Sequence, residues 1–158
     1  MQVRCGVFYL LLVAMVCTVE ASELAPFTTD GCSSFPDGTF EQQALWLDCC
    51  TVHDLAYWQG GTREQRMQAD EALRECVANV GEPTIAKLML AGVRVGGTPY
   101  LPTRFRWGYG WPFTRGYTPL NNAELEQIAS ALAAAGIARP GVESEQPAVN
   151  SETENGKE

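Results

Sequence analysis

Nine consecutive residues, Cys49-Cys50-Thr51-Val52-His53-Asp54-Leu55-Ala56-Tyr57, hold two cysteines, a phenol and the only histidine of the chain, with a carboxylate directly after it. Histidine titrates near neutrality and serves as a general base when a buried carboxylate fixes its tautomer and stabilises the imidazolium. A carboxylate facing an irregular loop suits calcium, which takes about six to eight oxygens, many of them backbone carbonyls. No nucleophilic side chain is arranged by spacing near His53, so the attacking group is expected to be an activated water.

These residues need a helix to position them. On a helix, residues three and four apart share a face. Cys49, His53 and Tyr57 then form one stripe, and Cys50 and Asp54 form a second about 100° around the axis. Glu41 to Trp58 reads as that helix, rich in good formers and free of Gly and Pro. Gly60-Gly61 ends it. Thr62-Arg63-Glu64-Gln65 fits a capping box opening a second helix to about Val80, with Met67, Ala69, Leu73, Cys76 and Val77 on its apolar side. Two helices joined by so tight a turn are expected to pack antiparallel.

The apolar run Val7–Val16 behind Arg4 reads as a signal peptide, with cleavage after Ala21; an uncleaved anchor is the alternative. Cleavage leaves Cys32, Cys49, Cys50 and Cys76, an even number in an exported chain, which argues for disulfides. One histidine and an adjacent cysteine pair disfavour zinc. Four cysteines allow three pairings. A bridge between neighbours would be strained, so two remain open. If Cys49 pairs with Cys76, antiparallel packing sets His53 within half a turn of Asp70, whose carboxylate would accept the Nδ1 proton. Cys50 would then hold Cys32, pinning the Gly/Ser/Pro loop beside Asp54. Each such bridge would contribute about 3–4 kcal/mol.

The spacing Cys49-Cys50-x-x-His53-Asp54-x-x-Tyr57, with Asp70-x5-Cys76, resembles the secreted phospholipase A2 family over about residues 30–80. The resemblance implies a mainly α fold: two antiparallel disulfide-linked helices carrying the site, an N-terminal calcium loop and further helices. It implies that His53 activates water, that Asp70 and Tyr57 complete a hydrogen-bonded network behind it, and that Asp54 binds Ca²⁺. The family bridges correspond to Cys32–Cys50 and Cys49–Cys76. The implied reaction is hydrolysis of the sn-2 ester of a glycerophospholipid at a membrane or micelle interface; a non-catalytic lipid- or protein-binding module on the same scaffold is the alternative. Two features depart from the family. A further bridged cysteine pair is replaced by Ala56 and Ala69. The calcium loop, usually Cys-Gly-x-Gly, reads Cys32-Ser33-Ser34-Phe35-Pro36-Asp37-Gly38. Carbonyls of Gly31, Ser33 and Phe35 are the expected ligands beside Asp54, and Asp37 is expected to be a turn residue.

The rest of the chain is read more coarsely. Residues 22–40 form a structured loop. Pro83 opens a third helix to about Val95. Residues 98–118 read as irregular, with room for a short hairpin. There Trp107, Tyr109, Trp111 and Phe113, with Arg104, Arg106 and Arg115, suit either a lipid-binding rim or a cap over the helix pair, and Arg104 or Arg106 could meet a substrate phosphate. Asn121 or Asn122 caps a last helix that ends at Gly136. The organisation is therefore a signal at 1–21, a phospholipase A2-like domain at 22–138 and an acidic disordered tail at 139–158. The net charge of −8 argues against nucleic acid and against strong electrostatic attraction to anionic membranes. A monomer, secreted or periplasmic and without a transmembrane segment after cleavage, is expected.

Overall fold

The computed structural model describes residues 22–138. The expected signal at 1–21 and tail at 139–158 lie outside them. The described residues are mainly helical: α1 (Leu47–Gln59), α2 (Arg63–Asn79), α3 (Pro83–Gly96) and α4 (Asn122–Ala134), with one 3-10 turn at Phe113–Arg115. No strand occurs among them, so the hairpin allowed for within 98–118 does not form.

The first helix begins at Leu47, not at Glu41. Its expected first turn is claimed by the preceding loop. Thr39 N donates to Gln42 O, Trp46 N donates to Asp37 O, and the Trp46 indole donates to Pro36 O. Once those groups are committed, residues 41–46 cannot build a helical ladder, whatever their propensity. The anticipated capping box at Thr62 is present, and of the two asparagines considered for the last helix Asn121 is the cap, in a capping box not anticipated from the sequence. Thr62 pairs with Gln65 at α2, and Asn121 with Glu124 at α4.

Disulfides join Cys32 to Cys50 and Cys49 to Cys76. Along α1 and α2 the partners run in opposite directions: Cys49 to Cys76, His53 to Asp70, Tyr57 to Arg66. α1 is buried on most of its circumference. One side joins Leu73, Val77, Ala86 and Met89 in a core with α2 and α3. The other side, through Leu55 and Trp58, packs on Trp111 and on Ile128 and Leu132 of α4.

The aromatic-rich segment is a cap, not a rim. Trp107 and Trp111 are buried, and so is Arg106, which donates to Trp111 O. The segment takes up backbone carbonyls that α1 and the turn after it leave without helical partners. Gly108 N donates to Tyr57 O at 2.6 Å, and Gly110 N donates to Trp58 O at 3.2 Å. The Trp111 indole donates to Gln59 O at 2.8 Å, and the Trp107 indole to Gly61 O at 2.9 Å. Gly60 (φ 70°) permits this contact, because a Cβ there would press into the Gly108 backbone. Arg115 closes the cap onto α4 through a bidentate pair with Glu124, whose carboxyl that pair holds below its usual range.

Candidate functional site

His53 reaches across from α1 to Asp70 on α2, whose side chain is fully buried. The contact is Nε2 to Oδ1 at 3.1 Å. From the sequence, Nδ1 is the nitrogen expected in this role. The structure exchanges the two nitrogens for a simple reason. Nε2 lies at the far edge of the ring, so a carboxylate on a neighbouring helix meets it first. Nδ1 lies nearer the ring's own backbone. It makes no hydrogen bond among the described residues, and His53 lines a cavity of about 670 Å³.

The Tyr57 hydroxyl donates to the same Asp70 oxygen at 2.6 Å. Burial, and then the Asp70 charge, hold that hydroxyl far above its usual pKa, so it remains a donor at any ordinary pH. Asp70 Oδ2 faces two guanidinium groups. Arg94 Nε lies 3.1 Å away with poor hydrogen-bond alignment, and Arg66 Nε lies 3.9 Å away. Arg66 is itself buried. It donates to Tyr57 Oη at 3.1 Å, to Tyr117 Oη at 2.7 Å, and to Val93 O and Arg94 O at 2.7 and 2.9 Å. The Asp70 anion therefore sits among fixed donors, the condition a buried carboxylate requires. Gly97 is pressed so closely against the Tyr57 ring that a Cβ there would collide with it.

Asp54, on the second stripe, is 5 % exposed and accepts from the Thr29 hydroxyl at 2.7 Å. Burial pushes its carboxyl up to about 6. The Thr29 hydrogen bond opposes the shift, and the Asp30 charge adds to it. No cationic side chain is paired with Asp54 among the described residues.

The loop beside it is held by its own side chains. Gly31 N donates to Thr29 Oγ1 at 3.1 Å, Cys32 N to Asp37 Oδ1 at 2.8 Å, and Ser33 Oγ to Asp30 Oδ1 at 2.9 Å. Asp37 thus does the work of a turn residue. Ser33 takes a φ of 55° that L-residues seldom adopt. Gly31, Ser33 and Phe35 line the cavity together with Asp30, His53 and Asp54. No cluster of three or more His, Cys, Asp or Glu suited to a metal occurs among the described residues. A cation here would depend on carbonyls and carboxylates. Asp54 is a buried oxygen donor without a positive partner among the described residues, the donor type that hard cations take.

Of the two arginines considered for a phosphate, Arg104 is exposed and lines the cavity, whereas Arg106 is turned inward. Sequence reasoning missed Thr29, Asp30, Arg66 and Arg94. Arg66 carried a signal, since it stands one helical turn before Asp70. The others reach the site only through tertiary packing. No family model, curated protein or solved structure matches the chain.

Proposed function

We propose that this protein is an exported, calcium-dependent hydrolase of the phospholipase A2 type, acting on the sn-2 ester of glycerophospholipids. The observation that carries the reading is the His53–Asp70 pair: Nε2 is held by Asp70, Nδ1 makes no hydrogen bond among the described residues, and His53 lines the cavity that Asp54 also lines. Two disulfides point to an oxidising environment. No helix among the described residues is long and apolar enough to cross a membrane.

Nδ1 takes a proton from water as the oxygen attacks the sn-2 carbonyl, and Asp70 stabilises the imidazolium that forms. The same proton then passes from Nδ1 to the departing glycerol oxygen, leaving a fatty acid and a lysophospholipid. Asp54 with the carbonyls of Gly31, Ser33 and Phe35 would hold calcium, which when bound supplies positive charge to the developing oxyanion and to the substrate phosphate. Arg104 adds a second cation for that phosphate. Leu88 of α3, which lines the cavity, and Val95, Tyr100 and Leu101 are exposed apolar residues that would supply an interfacial surface. That role passes to them from the buried Trp107 and Trp111.

The test is fatty-acid release from mixed phospholipid micelles, with calcium and with a chelator. Release should require calcium, and His53→Ala should lower it by about 10²–10⁴-fold. Wild-type turnover in His53→Ala would sink the mechanism. The non-catalytic alternative is favoured by Ser33 and Phe35 standing where the family has loop glycines. It would show as micelle binding without turnover, unchanged by His53→Ala.

A further inference from the structure

Two glycines of α3 have no conformational reason to be glycine. Gly92 and Gly96 lie within the helix, where only proline is a poorer residue. Neither takes a positive φ. A Cβ on either would meet no heavy atom within 4 Å. The remaining described glycines either adopt positive φ or would collide, as Gly97 would with Tyr57 and Gly110 with Trp58.

What Gly92 and Gly96 share is the cavity, which both of them line. They fall on one stripe of α3 with Leu88, Ala91 and Val95, at helical spacing and without a polar group. Leu88 and Val95 are 57 % and 75 % exposed, so the stripe continues from the cavity to the surface. The cavity is divided by chemistry. Its charged and hydroxyl-bearing groups come from α1, from the 30–35 loop and from residues 103–104. α2 and α3 give it only apolar or side-chain-free residues, among them Leu73, Leu88 and Met89. His53 is more than nine-tenths buried and lines this space, and its Nδ1 makes no hydrogen bond among the described residues. A wall of hydrocarbon facing a wall of polar groups suits a ligand that carries a polar function on a linear apolar tail. A peptide would bring backbone amides against α3 that nothing there satisfies.

We propose that Gly92 and Gly96 are specificity-determining residues, whose missing side chains open a trough along α3 for the long acyl chain of the ester that His53 attacks. This rests on the hydrolase reading above and adds the residues that set chain length.

Gly92→Leu and Gly92→Ala test it on dipalmitoyl and dihexanoyl phosphatidylcholine, both in the same mixed micelles. Leucine should lower the long-to-short ratio of kcat/KM by at least ~10-fold, and alanine by less. Both replacements raise helix propensity, so folding, followed by circular dichroism, should survive. An unchanged ratio, or a parallel fall on both substrates, overturns the proposal. If the wild type hydrolyses neither lipid, the hydrolase reading fails and the trough is judged by binding. A fluorescent palmitate analogue should then bind the wild type, be displaced by palmitate and not by hexanoate, and bind Gly92→Leu at least ~10-fold more weakly. No binding to the wild type, or equal binding to both proteins, refutes the trough.

Discussion

Asp54 is the residue whose environment departs most from water without a visible counter-charge. Its carboxyl titrates at about 6 when folded, against an ordinary value of 3.8. Between those values the folded chain holds a proton that the unfolded chain has released. Stability is therefore greater below about pH 4 and falls as pH rises through 6, by about 3 kcal/mol when no cation is bound. Thermal unfolding in a chelator should show this slope, and Asp54→Asn should remove it. Added calcium should flatten it and restore stability above pH 6, because the metal and the proton compete for one carboxylate. A slope of opposite sign would disprove the account. At this scale the sequence was most readable. His53, Asp54 and Tyr57 are related by helical spacing, which needs no tertiary information, and Asp70 follows once the two helices are packed antiparallel about the Cys49–Cys76 bridge. Asp30 and Thr29 were not readable, because a loop folds back to bring them to Asp54. Arg94 was not, because nothing local says that the end of α3 meets Asp70.

Among the elements, caps were legible where a side chain bonds to its own backbone three residues on. Thr62 and Asn121 each do so with a reciprocating partner. Thr62→Ala should cost about 1 kcal/mol in chemical denaturation, and Thr62→Ser far less. Equal losses for both would show that something other than the hydroxyl matters. The start of α1 was misread because propensity describes a segment alone. Trp46 and Leu45 instead pack in the core beside Cys49; the Trp46 amide donates to Asp37 O and the Leu45 amide to Gln42 O. The 98–118 segment was legible only as irregular. Its path follows from carbonyls that α1 offers, and a sequence does not show which distant amides will find them.

At the level of the whole molecule, the bridges divide the labour. Cys49–Cys76 ties α1 to α2 one turn from His53, and Cys32–Cys50 ties the 31–35 loop to α1 one turn from Asp54. Their sequence separations are 27 and 18, so each should contribute about 3–4 kcal/mol. The functional consequences should differ. Replacing Cys32 and Cys50 by alanine should weaken calcium binding by calorimetry more than replacing Cys49 and Cys76 does, since only the first pair holds the carbonyl-bearing loop. Equal weakening would mean that calcium binds elsewhere. The cap over α1 has a kinetic consequence as well. Gly108 and Gly110 belong to no regular element, yet their amides are spent on carbonyls at the buried end of a helix. They can exchange with deuterated solvent only when that end opens. Their exchange should be as slow as that of the α1 interior, so this irregular stretch should belong to the last unit of the fold to open.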